Sequence, residues 1–116
     1  MWRSRMLSMS LKLPKPVAAY LAAVDAKDTD MLTLCFSGDA VVHDEGGVYR
    51  GLDAIKSWSE ETQRKYRYAM EALDASVTGK TVRVRARLTG SFPGSPVELD
   101  YLFTLANEKI ISLKIE

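Results

Sequence analysis

The spacing of hydrophobic positions changes period twice along the chain. Val17, Tyr20, Leu21 and Val24 recur at the three-and-four spacing that places them on one stripe of a helix. Pro16 opens that helix, where its missing N–H removes no hydrogen bond. The polar run Lys27-Asp28-Thr29-Asp30 breaks the stripe. Thr29 or Asp30 is the expected cap of a second, shorter helix carrying Met31, Leu32, Leu34, Cys35 and Phe36, ended by Ser37-Gly38-Asp39. The period then drops to two. Ala40, Val42 and Asp44 share one face of a strand, and Val41, His43 and Glu45 share the other. Gly46-Gly47 predicts a hairpin by supplying positive dihedrals. Gly51 ends the second strand. Helical spacing returns from Leu52 to about Tyr66, with Asp53 as cap and Ile55, Trp58 and Thr62 aligned.

The remainder alternates. Arg67 to Val77 does so imperfectly, with Tyr68, Met70 and Ala72 on one side. Thr81 to Phe92 does so cleanly, with Val82, Val84, Ala86 and Leu88 against Arg83, Arg85, Arg87 and Thr89. Pro93-Gly94-Ser95-Pro96 reads as a turn. Val97, Leu99, Tyr101, Phe103 and Leu105 form the next apolar face, and Ala106–Lys109 turns the chain into Ile110, Ile111, Leu113 and Ile115. This order predicts an α+β fold: a curved mixed or antiparallel sheet wrapped around about three N-terminal helices. The other sheet face is left for solvent or for a second copy.

A length of 116 residues suits one domain with one core, expected over 14–116. Residues 1–13 read as a loose tail, because Ser8, Ser10 and Lys12 interrupt the apolar run a signal peptide needs. No run approaches the ~20 apolar residues of a membrane span. A cytoplasmic protein with no membrane partner is the expectation. Sixteen basic residues against 15 acidic ones, a formal charge of +1, argue against a nucleic-acid partner. So does the lack of aromatics interleaved with Arg83, Arg85 and Arg87, a row that reads as a solvated or dimer-facing surface. Cys35 is alone, which excludes an internal disulfide and cysteine-built metal sites and leaves a buried inert thiol.

Candidate chemistry gathers between Asp39 and Trp58. This stretch holds the only histidine, His43, beside Asp44 and Glu45. Three consecutive residues cannot converge on one metal ion without distortion, so no metal is expected. Asp44 has two readings. It is a general base in a pocket, raised in pKa by apolar neighbours, or a carboxylate accepting bonds from the Gly46-Gly47 turn amides. Trp58 and Tyr49 read as core and rim packing or as a ligand-stacking pair. Arg50 either pairs with Asp53 or Glu45 or clamps an anionic group.

Two pieces of the chain, YLAAVDAKDTDMLTLCFSGDAVVHDEGGVYRGLDAIKSW and LFTLANEKIISLKIE, resemble the nuclear-transport-factor-2-like superfamily, with its SnoaL-like and ketosteroid-isomerase branches. The resemblance covers nearly everything from Pro16 to Glu116. It implies a cone with a central pocket for a small, mostly apolar molecule, a homodimer through the sheet, and no cofactor. It does not imply one reaction, because this fold hosts isomerases, cyclases, dehydratases, hydrolases and proteins without activity. In the ketosteroid-isomerase branch a carboxylate abstracts a proton next to a ketone, while a tyrosine and a protonated aspartate hold the enolate oxygen. The base position falls on Asp44 and the tyrosine on Tyr20. The third position falls on Asp100, on the polar face, or with one residue of slack on Tyr101, on the apolar face. Val42, Trp58 and His43 complete the expected ligand-binding set, His43 entering the pocket only if the strand is bulged. The alternative is a non-catalytic ligand-binding or dimeric interaction module.

Overall fold

Helix α1 (Lys15–Ala26) buries Val17, Tyr20, Ala23 and Val24, the stripe its sequence lays out. It stops where Lys27 turns left-handed at φ 55 and bonds its N–H back to the carbonyls of Ala23 and Val24. The computed structural model describes residues 12–116, so the loose-tail expectation for 1–13 lies almost wholly outside the described residues.

Helix α2 (Thr29–Thr33) is capped by Asp28 rather than by Thr29 or Asp30: the Asp28 carboxylate accepts from the Met31 N–H at 3.0 Å. It is also shorter than its hydrophobic run suggests. Strand β1 (Phe36–Asp44) already begins at Phe36 and takes in Ser37-Gly38-Asp39. The reason is a long-range pairing. Phe36 lies opposite Ile110 of strand β6 (Lys109–Ile115), and its buried ring meets Tyr20 edge-on at 6.0 Å. The polar triplet passes through as a register shift before Val41.

Strand β2 (Gly47–Arg50) pairs antiparallel with β1, Asp44 standing opposite Gly47. The turn residues are therefore Glu45 and Gly46, with φ 51 and 80, so Glu45 and not Gly47 takes one of the two positive dihedrals. Helix α3 (Gly51–Tyr66) follows at once. Gly51, at φ 85, makes the corner, and Asp53 sits in the first turn without capping it.

Strands β3 (Ala69–Thr78), β4 (Thr81–Thr89), β5 (Val97–Ala106) and β6 complete a six-stranded sheet in the order β2-β1-β6-β5-β4-β3. Only the β1–β6 pairing is parallel, so the sheet is mixed. The imperfect alternation of β3 is a bulge: its register against β4 slips between Ala72 and Asp74. The sheet curves around the helices, and the fold is the α+β cone. On the inner face Val42, Val82, Val84, Phe103 and Leu113 are fully buried with Tyr20, each large side chain contributing on the order of 1.5–3 kcal/mol. On the outer face the basic row is neutralised. Arg83 and Arg85 reach Asp100 at 2.8 and 3.1 Å, and Arg87 reaches Glu98 at 3.4 Å and Glu71 at 3.7 Å. Among the described residues no helix is long and apolar enough to cross a membrane.

Candidate functional site

Strand β1 ends on Asp44 at a cavity of 390 Å³ between α3 and the far half of the sheet. Leu88, Val97, Leu99 and Ile115 give it an apolar wall, and the β4–β5 loop closes over it with Phe92 and Pro93. The Asp44 carboxylate is half-buried. Its Oδ2 accepts a 3.0 Å hydrogen bond from the indole Nε1–H of Trp58. Burial raises this carboxyl above its ordinary pKa; the Trp58 bond draws it back, and the neighbouring Glu45 charge raises it again. Trp58 is itself backed by Tyr49, whose ring lies 6.2 Å away. Tyr49 fits because position 47 has no side chain: a Cβ on Gly47 would stand 2.7 Å from the Tyr49 hydroxyl. The sequence thus sets a glycine, a tyrosine and an indole behind the side-chain hydrogen bond that reaches this carboxylate.

The second group of polar atoms comes from the α3–β3 junction. Arg67 caps α3 in the left-handed region, at φ 46, with its N–H bonded to Gln63 O at 2.8 Å. That single joint lets Tyr66, at the helix end, and Tyr68, before the strand, both line the cavity. The Tyr66 hydroxyl donates to the Glu45 carboxylate at 3.0 and 3.1 Å, and its ring meets Phe92 edge-on at 5.7 Å. Tyr68 is buried, which pushes its phenol up to about 12 despite a moderating bond with Thr62. The loop is tied to the same junction. Ser91 N–H donates to Tyr66 O at 2.7 Å, Gly90 N–H donates to Ser95 Oγ at 2.9 Å, and a Cβ on Gly90 would lie 2.5 Å from Tyr66 O.

The cavity gathers three of the residues singled out from the sequence: Asp44, Trp58 and Tyr101. Tyr101 is 2% exposed, and burial holds its phenol well above the ordinary value, the charges of Tyr68 and Asp44 adding to the effect. Four others stand elsewhere. Val42 is fully buried in the core and does not line the cavity. His43 pairs regularly between Val48 and Lys114, and with no bulge at that point it stays on the opposite face from Asp44. Asp100 is on the outer face, where Arg83 and Arg85 hold its carboxyl below the usual range. Tyr20 does not reach the cavity lining either. It packs in the core at 5.3 Å from Phe103 and 6.3 Å from Tyr101, fully buried, and its hydroxyl has no hydrogen-bond partner among the described residues. Arg50 forms no ion pair with Asp53 or Glu45 among the described residues; Glu45 is taken by Tyr66.

Sequence reasoning passed over Thr62, Tyr66, Tyr68 and Phe92 as site residues. A signal for two of them exists in Tyr66-Arg67-Tyr68, a pair of phenols flanking a predicted helix-to-strand junction. Among the described residues no three His, Cys, Asp or Glu side chains are grouped to hold a metal ion. The chemistry available is one tuned carboxyl, two buried phenols that stay protonated at neutral pH, and a largely apolar lining.

Three comparisons place this geometry among known proteins. A family model described as SnoaL-like domain matches residues 17–113. A candidate polyketide cyclase of Sinorhizobium meliloti is 41% identical, with 90% of this chain and 95% of that chain covered and a TM-score of 0.88. A Catenulispora acidiphila protein with a ketosteroid isomerase-like fold, solved in complex with trimethylamine, is 22% identical over 90% of this chain and 86% of that one, TM-score 0.80. A candidate polyketide cyclase of Xanthomonas campestris, 16% identical over 87% of this chain and 86% of that one, superposes with a TM-score of 0.78. The last two likenesses concern the fold alone. No curated protein matches the chain.

Proposed function

We propose, for a chain that belongs to the SnoaL-like domain family, that the cavity binds a small, mostly apolar carbonyl compound and that Asp44 moves a proton on the carbon beside the carbonyl. The observation that carries this reading is the Asp44–Trp58 bond in the lining of a largely apolar cavity. A carboxyl raised by burial is a better match to a weak carbon acid than a free one. In the step, the Asp44 carboxylate takes the α-proton. The C–H electron pair becomes the enolate double bond, and negative charge moves to the carbonyl oxygen. Tyr101 and Tyr68 supply hydroxyl donors for that oxygen, the role the sequence pattern gives to Tyr20. Asp44 then returns the proton to another carbon, an isomerisation. Alternatively, the enolate carbon attacks a second carbonyl of the same molecule, the π pair of that C=O moves onto its oxygen, and the oxygen takes the proton back from Asp44, a ring closure. The identity with a candidate polyketide cyclase supports the second ending.

Binding without reaction is the second reading. It is favoured by Tyr20, whose hydroxyl lies outside the cavity lining, so that the oxyanion donors differ from the pattern of the isomerase branch. A homodimer through the outer sheet face belongs to either reading and is tested by sedimentation equilibrium. The deciding experiment offers β-keto and enone compounds to the wild type and to Asp44→Asn. Turnover by the wild type that the variant loses establishes proton transfer. Binding to both, with turnover by neither, establishes a carrier.

A further inference from the structure

Among the described residues the charged side chains lining the cavity are both acids, Asp44 and Glu45, and no lysine, arginine or histidine lines it. The rest of the polar end is aromatic, with Trp58, Tyr66, Tyr68 and Tyr101 around the carboxylates and Phe92 above. Carboxylates in an aromatic-lined cavity repel anions and attract an organic cation, which gains from the quadrupole of any ring face it meets as well as from the charge. Lys65, the nearby base, lines an adjoining depression that shares Asp44, Glu45, Trp58 and Tyr66 with the cavity, and its ammonium lies over one face of the Tyr66 ring, 5.1 Å from the centroid.

Glu45 is the more telling of the two acids. Asp44 is already engaged by the Trp58 indole. Glu45 occupies a turn position at φ 51 that asparagine or glycine fills at less cost. There its carboxylate is held over the cavity rim by both contacts to the Tyr66 hydroxyl. The bond leaves lone pairs free on both oxygens.

We propose that the ligand of this cavity carries a tertiary or quaternary alkylammonium group on an apolar body. The cation seats against Trp58, Tyr66 and Phe92 with Glu45 as counter-ion, and the body lies along Leu99 and Ile115. Asp44 remains free for the reacting carbon. This rests on the binding part of the proposed function and is independent of turnover.

The test compares benzyltrimethylammonium with its neutral isostere neopentylbenzene by titration calorimetry, on the wild type and on Glu45→Gln. The charged probe is expected to bind at least about tenfold more tightly. Glu45→Gln should erase most of that preference while leaving the affinity for the neutral isostere unchanged. Equal affinity for the two probes, or a preference untouched by Glu45→Gln, overturns the cation site. So does failure of both probes to bind. Binding of β-keto compounds in the same assay shows whether the carbonyl reading stands when the cation site falls, and a cavity that takes neither class removes both.

Discussion

The indole N–H of Trp58 meets the carboxylate of Asp44 at 3.0 Å, joining residues fourteen apart in sequence, one on a helix and one at a strand end. The bond opposes burial, which on its own drives the Asp44 carboxyl toward its neutral form. Trp58→Phe keeps an aromatic ring in place and removes the donor. The Asp44 carboxyl should then titrate at higher pH, and the acid limb of any pH–rate profile should move with it. Loss of a hydrogen bond to a charged group should also cost about 1.5–3 kcal/mol, read from urea unfolding. An unmoved carboxyl signal in a carbon-detected NMR titration would show that the indole does not tune this group.

Asp44→Asn should reduce turnover by roughly 10²–10⁴ if the carboxyl is the base. Its effect on stability has the opposite sign at neutral pH. Because the folded-state pKa lies above the ordinary 3.8, the stability this group contributes is fully present below 3.8 and is lost as pH rises through the raised value. Asparagine carries no such loss. The melting temperature of the variant minus that of the wild type should therefore grow from acid to neutral pH, a trend that scanning calorimetry reads directly.

Tyr20→Phe and Tyr101→Phe separate a core phenol from a cavity phenol. The Tyr20 hydroxyl is buried without a partner among the described residues, a state that costs about 1–3 kcal/mol. Removing it should leave stability equal or higher and turnover unchanged. Tyr101→Phe should lower turnover by roughly 10²–10³, the scale of a lost oxyanion donor. The reverse ranking, measured with one substrate under one condition, would return the donor role to Tyr20.

Gly90→Ala tests how the roof of the cavity is fastened. The added methyl would stand 2.5 Å from Tyr66 O, a backbone atom that cannot swing aside. Destabilisation of about 1–3 kcal/mol is expected, with ligand affinity lowered further as Phe92 and Pro93 lose their seat. Asp100→Asn is the matching control: bound between Arg83 and Arg85 on the outer face, it should leave affinity and turnover unaltered.

Periodicity alone made much of this architecture readable. The α1 stripe and the alternation of β4 declare their buried faces because each keeps one period throughout. The start of β1 was not readable, since Phe36 is drawn into the sheet by Ile110, a partner far along the chain. The hairpin was misplaced by one residue for a local reason: Glu45, not Gly47, accepts the left-handed turn position. Within the site, strand parity separated Asp44 from His43 and Tyr101 from Asp100. Parity says nothing of depth, so Val42 looked like lining when it is core, and the resemblance that put Tyr20 at the site says nothing of depth either. Tyr66 and Tyr68 flank a junction the sequence does predict, but the left-handed Arg67 joint that brings both to the cavity leaves no mark in an arginine.

Strand β6 runs between β1 and β5, and its residue Ile115 forms part of the cavity wall. During synthesis, everything before residue 109 must wait with two unpaired strand edges turned toward each other. The gap closes only when one late segment slots in parallel to a strand made long before. Such distant pairing is slow, and the waiting edges are adhesive. The hollow therefore cannot be complete until β6 is in place, and a chain lacking β6 would lose the strand that joins β1 to β5 together with the Ile115 part of the wall.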